Sequence, residues 1–334
     1  MRPNNTEHIA RSAPADAARV AAAFFVVMIH ASGTSWPQGL AFNALSRFGV
    51  PVFVILSGYF MLSRERDTRG LVRRCARLAA LMLSWSALYF IYNLSVGDLE
   101  WSGPKELLRY LLTEPVHLWY LYATGALYAL TPIFGVFCGH ATRRQYEYAL
   151  LVTFVLGCVV TVLDASALFP TFMIIVSKTH VAYALGFAFF YLLGGYLRRY
   201  RLSSRAASAV YALGLLGLAC TIGGTLCLSR GGLNELLLSY TSPNVAATAA
   251  AFTLFFLRLP LRGSPRLSAA ARCTLGVYLL HPLLILIPQH LGLWEPQTLP
   301  LFLAVPLRGA AVYALALLIS LALSRVPVLK RLVS

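Results

Sequence analysis

Charge is scarce in this sequence, and acidic charge is the scarcest. Only 12% of the 334 residues are Asp, Glu, Lys or Arg, and Asp and Glu together number 12, whereas soluble domains carry about 25% charged residues. That shortage, set against 58% hydrophobic residues and a mean hydropathy of +0.70, excludes an ordinary soluble domain. The charges are bunched between apolar runs, so the chain reads as repeated membrane segments rather than one large core. Long polar stretches are missing as well. The formal net charge of +16 therefore has no soluble domain from which to bind nucleic acid, and no nucleic-acid partner is expected. The six cysteines show no C-x2-C spacing; most fall inside apolar runs, where Cys acts as a small hydrophobe, so neither a disulfide framework nor a metal site is read from them. Carboxylates are missing from the middle of every apolar run, and ion-coupled transporters and proton pumps generally need them there. A transporter or flippase for a sugar or lipid-linked glycan is the weaker alternative for that reason. A structural role in envelope polysaccharide assembly is the third.

What the sequence does have is ten apolar runs long enough to cross a hydrocarbon core of about 30 Å. They lie near 17–35, 43–62, 76–95, 117–138, 146–163, 181–198, 207–228, 241–258, 271–289 and 301–323. Only helices and closed barrels span lipid, and these runs are too continuously apolar for barrel strands. The fold class is all-α: a polytopic membrane protein of about ten transmembrane helices, one domain over residues 1–334 with a polar tail at 1–15. The segment 167–178 is too short to span. With the N-terminus inside, 22 of the 28 Lys and Arg residues fall on the inner side and 6 (Arg47, Lys105, Arg109, Lys178, Arg230, Arg308) on the outer, which places both termini in the cytoplasm. The first run carries Arg19 and His30 after a polar tail, so it is read as a retained span and not a cleaved leader. Two similar exits, "LSGYFMLSRER" and "LLGGYLRRYR", are explained by interfacial Tyr and snorkelling Arg.

His30 lies eleven positions beyond Arg19, about 16 Å along a helix. An imidazole at that depth is costly unless it faces the bundle interior or a wet cavity. It serves either as hydrogen-bonding glue or as a chemical group. Asp16 stands three positions before Arg19, and an ion pair on one helix face accounts for it. The loop "RERDTRGLVRRCAR" places Arg73, Arg74 and Arg77 at the start of the third span. Topology signalling explains much of that loop, yet arginine also suits bidentate phosphate recognition. A nucleotide-bearing donor held there would extend a flexible arm about 15–20 Å inward, toward the depth of His30. That reading requires a continuous passage between the arginines and the imidazole. His281, before Pro282, has freed backbone carbonyls as candidate partners. His117, Trp119 and Tyr120 form an aromatic belt or a platform for a sugar acceptor. Tyr59, Ser57 and Asn244 line a cavity or join helices.

In order along the chain, Arg19 and His30 with ten residues between them, "RFGVPVFVILSGYF", "RRCARLAALML", "HLWYLYATGALYALTPIF", "LLGGYLRR", "SYTSPNV" and "LGVYLLHP" resemble the landmarks of the acyltransferase 3 family of integral membrane acyltransferases. The bacterial O-acetyltransferases of the enterobacterial-common-antigen type look most similar. The resemblance covers about residues 11 to 290 and corresponds to the bare membrane unit. It implies transfer of acetyl from cytoplasmic acetyl-CoA to a hydroxyl of a cell-surface glycan or lipid-linked sugar at the bacterial inner membrane, with no metal. It further implies that Arg73, Arg74 and Arg77 bind CoA phosphates. His30 then acts as general base or as an acylated relay, and Arg19 holds the donor or fixes the first helix. Membrane lipid is the other expected partner.

Overall fold

The structure, a computed structural model, describes residues 12–63, 67–113, 116–166, 185–293 and 300–333. Those residues form helices and no strand. α1 (Ala13–Ser32) starts where the Ser12 hydroxyl accepts the Ala15 amide at 3.4 Å, satisfying one of the donors a helix start leaves free. It stops at Gly33, whose φ of +64° suits glycine. α2 (Gln38–Ser46) and α3 (Gly49–Met61) form one apolar stretch with a break between them. α4 (Thr68–Val96) is capped by Asp67, whose carboxylate accepts the Arg69 and Gly70 amides. α5 (Pro104–Thr113) precedes a single turn at Val116–Leu118 and then α6 (Trp119–His140). The Thr142–Gln145 capping box opens α7 (Arg143–Phe154), which continues through a π turn into α8 (Val160–Ser166). After it come α9 (Ala188–Arg199), then α10 (Ser204–Ala219), joined by a second π turn to α11 (Thr225–Leu228). α12 (Pro243–Arg258), α13 (Pro265–His290), α14 (Leu301–Leu323) and α15 (Pro327–Val333) complete the chain.

Among the described residues, eight stretches are long and apolar enough to cross a membrane: α1, α2–α3, α4, α6, α7–α8, α10–α11, α13 and α14. Each matches an expected span. Of the remaining two, the run 241–258 is α12, a 16-residue helix, and the run 181–198 lies partly outside the described residues and continues as α9. The segment 167–178, together with Arg2, Arg11, Arg64, Arg66 and Lys178, also lies outside them.

α1 and α2–α3 form the centre of the bundle. Their spans are 61% and 72% buried, against 22–28% for α4, α6, α7–α8, α10–α11 and α14, so the latter present one face outward. Exposed Leu215, Ile133 and Leu318 are the apolar surface such helices give to lipid. α1 packs against α2, α3, α12, α13 and α14 and is enclosed by them. Hydrogen bonds gather the basic ends on one face. Arg198 donates to the Tyr59 hydroxyl at 3.0 Å, Arg199 to the Cys138 carbonyl and Arg258 to the Leu202 carbonyl at 2.6 Å. The two similar exits, in α3 and α9, turn out to cross each other. A Cβ on Gly58 would meet the Tyr191 carbonyl, and one on Gly194 the Ile55 carbonyl, so both glycines are needed for backbone contact. That packing is an additional reason for the repeated pattern, beyond interfacial Tyr and Arg.

Candidate active site

A cavity of about 500 Å³ opens among α1, α3, α4, α6 and α13, a volume in the range of small-molecule sites. Four guanidiniums line it, from Arg19, Arg74, Arg77 and Arg272, and among the described residues no carboxylate does. Such a surface attracts phosphate or carboxylate groups. On α4 the lining residues are Arg74, Arg77, Leu78 and Leu81, the i, i+3, i+4, i+7 set that shares one helix face. Arg73 belongs to a neighbouring face. It does not line the cavity, and its Nε donates to the Arg69 carbonyl at 3.4 Å. Asp16 does not pair with Arg19. It is 6% exposed and accepts the Ser268 hydroxyl at 3.4 Å, while the Arg19 guanidinium lies 5.4 Å from the Phe60 ring centroid.

The inner end of the cavity is bounded by Val26, Val50, Tyr120 and Tyr278. Val26, Ile29 and Val50 pack with Tyr120 and Tyr278 into one layer. Beyond that layer three histidines come together. The ring centroids of His30 and His281 are 4.9 Å apart, and those of His281 and His117 are 6.1 Å apart. His281 is fully buried and His117 is 8% exposed. In the neutral His281 ring, Nδ1 carries the proton that it donates to the Val277 carbonyl at 3.2 Å, leaving Nε2 with a lone pair. That Nε2, and the Nε2 of His117, are buried without a hydrogen-bond partner. His30 differs from both. It is exposed, in the last turn of α1. Tyr278 ties the layer to the cluster, because its hydroxyl donates to the His117 carbonyl and its ring lies 6.2 Å from that of His281. The cavity does not reach His30. One turn of α1, from Val26 to His30, and the Tyr120–Tyr278 layer separate them, so the continuous passage expected from the sequence is closed in this conformation.

A sequence model described as an acyltransferase domain, that of the acyltransferase 3 family, matches residues 15–325. The chain belongs to the acyltransferase 3 family. No curated protein and no solved structure matches it significantly. It is therefore a membrane acyltransferase, and among its described residues the basic cavity and the histidine cluster each concentrate groups able to take part in such a reaction.

The other candidate residues of this acyltransferase are distributed differently. Tyr120 lines the cavity. Trp119 stacks on Phe187 and on Tyr240, with centroids 5.6 and 5.4 Å away, so its ring serves intramolecular contacts and not an open platform. Tyr59 is 9% exposed and holds Arg198 on the basic face. Ser57 lines the cavity. Asn244 is engaged in joining elements: its Nδ2 donates to the Thr221 hydroxyl and to the Leu237 carbonyl, each at 2.8 Å. Three further residues belong to these sites: in the sequence Arg272 is one of the inner-side charges, Tyr278 is part of "LGVYLLHP", and Arg47 is one of the outer-side charges. For Arg47 the available signal was "FGVP", a helix-breaking cluster directly after the arginine.

Proposed function

We propose that this acyltransferase moves an acetyl group from acetyl-CoA to a hydroxyl of a cell-surface glycan or lipid-linked sugar, as a multi-pass protein of the bacterial inner membrane with its basic face and both termini in the cytoplasm. The observation that carries the reading is the arrangement along α1: a guanidinium-rimmed cavity at Arg19 and an exposed imidazole at His30, with a single side-chain layer between them. Arg19, Arg74, Arg77 and Arg272 hold the phosphates of CoA, and the pantetheine arm follows the cavity inward. Rotation of Tyr120 and Tyr278 admits the thioester to the histidine side. His30 takes the proton from the acceptor hydroxyl as its oxygen attacks the thioester carbonyl. The C–S bond breaks, and the thiolate leaves with a proton as CoA. An acetyl-imidazole on His30 gives the same net reaction in two steps.

The test is acetyl transfer by the purified protein in detergent or proteoliposomes, with labelled acetyl-CoA and a membrane glycan fraction as acceptor. CoA release matched by label in glycan is the expected result. Glycan crossing a vesicle wall without acetyl donor, and no CoA release, would replace the reading with transport.

A further inference from the structure

Arg47 is a cation level with the layer, next to the histidine cluster. It sits in the break between α2 and α3, and its depth is fixed by its neighbours. Four residues earlier, Asn43 donates to the Ile29 carbonyl at 2.8 Å and to the Gly33 carbonyl at 3.2 Å. Two residues later, a Cβ on Gly49 would lie 3.2 Å from the Val26 amide nitrogen. Arg47 therefore stands between the levels of Ile29 and Val26, within one turn of α1 from His30.

The side chain is held in place by two contacts. Nε donates to the Asn43 Oδ1 at 2.8 Å, and the guanidinium lies 5.3 Å from the Tyr240 ring centroid. Tyr240 is itself stacked on Trp119, and Trp119 on Phe187, so an aromatic column supports the cation. Glu235 is near enough to act on Tyr240, but neither it nor any other acid among the described residues forms an ion pair with Arg47. A fixed cation at membrane depth with no counter-ion among the described residues is expensive, and the N–H donors not engaged by Asn43 and Tyr240 remain for a ligand. The donor's phosphates already have four guanidiniums on the far side of the layer.

We propose that Arg47 binds an anionic group, phosphate or carboxylate, on the acceptor, so that a neighbouring hydroxyl of the same molecule meets His30. The proposal rests on the acyl-transfer reading and narrows its acceptor class to anionic sugars. The shared chemistry is a tetrahedral or planar oxyanion matched to a guanidinium fork. A sugar phosphate and a uronic acid are its two sources.

The experiment measures ligand-induced thermal stabilisation of the full-length protein in detergent with N-acetylglucosamine 1-phosphate, glucuronate and methyl glucoside as probes. Wild-type protein is expected to be stabilised by one or both anionic sugars and not by methyl glucoside, and the stronger of the two names the source. R47Q is expected to weaken that binding about tenfold to a hundredfold, the loss of a hydrogen bond to a charged group. R47K should be intermediate, and R74Q/R77Q should keep it. Equal response to the neutral sugar, no response to either anion, or anion binding that survives R47Q or disappears in R74Q/R77Q would each overturn the proposal. If R47Q does not yield monodisperse protein, the neutral-against-anionic comparison and R47K decide it. CoA release is measured on the same samples. Its absence in wild type, with Arg47-dependent anion binding intact, would reject acyl transfer and leave the anion site standing.

Discussion

The imidazole rings of His30 and His281 face each other at 4.9 Å between centroids, with their planes 50° apart. One comes from the last turn of α1, the other from the turn of α13 that ends at Pro282. The His281 Nε2 is buried and unpartnered on that side of the helix, where it can orient the His30 ring or relay its proton. Replacing His281 by Phe keeps an aromatic ring, one atom larger, and removes both nitrogens. The expected result is a fall in kcat on the order of tenfold, as for outer partners that orient metal-bound imidazoles, a changed pH–rate profile, and an unchanged KM for acetyl-CoA. Lower thermal stability with an unaltered profile would assign His281 to packing alone.

Arg74 and Arg77 line the basic cavity and Arg73 does not, although all three lie within one turn and a half of α4. Glutamine at both Arg74 and Arg77 should raise the KM for acetyl-CoA about tenfold or more, from the loss of charge-assisted hydrogen bonds, with a smaller effect on kcat. Arg73→Gln should change KM less than about twofold, as a surface charge does. Equal effects at all three positions, measured by steady-state kinetics, would indicate a diffuse charge effect instead of a cavity.

Tyr278 closes the inner end of the cavity and holds the His117 carbonyl. Tyr278→Ala removes both the closure and the hydrogen bond, admitting water and thioester to the histidines together. Acceptor-independent hydrolysis of acetyl-CoA, followed as thiol release, is expected to rise relative to transfer. If hydrolysis and transfer fall in proportion, the layer has no gating role.

Gly58 and Gly194 bring α3 and α9 into backbone contact. A leucine at either position must separate the helices, and overpacking of this kind costs about 1–3 kcal/mol. The unfolding midpoint in detergent should drop for each single variant. The double variant should lose less than the sum, since the first already opens the crossing. Full additivity would place the two glycines in independent contacts.

Much of this fold is legible in the sequence because a bilayer imposes a length and a polarity on each span. α1, α4, α6 and α13 fall where apolar runs of about 20 residues stand between basic clusters. The pairing of Arg19 with His30 is equally plain, since both lie on one helix at a spacing fixed by its rise. What escapes is anything made by two helices meeting. Periodicity cannot reveal a break inside an apolar run, so an outer-side charge count says nothing of Arg47 packing level with Val26 and Ile29. His117 reads as an interfacial residue because its sequence neighbours are aromatic, yet α4 and α13 enclose it through Tyr89 and Tyr278. Arg73 and Arg74 are indistinguishable in composition and differ only in helix face. The 3.6-residue period separates them once α4 is known to line a cavity.

In the proposed reaction His30 carries the chemistry for a donor bound among the arginines. The most direct measurement compares acetyl-CoA turnover by wild-type protein and by His30→Ala, purified identically and matched for monodispersity. Loss of transfer by about 10²–10⁴-fold, the usual contribution of a general base, with acetyl-CoA binding retained, is the predicted result. Transfer by His30→Ala at the wild-type rate would contradict it.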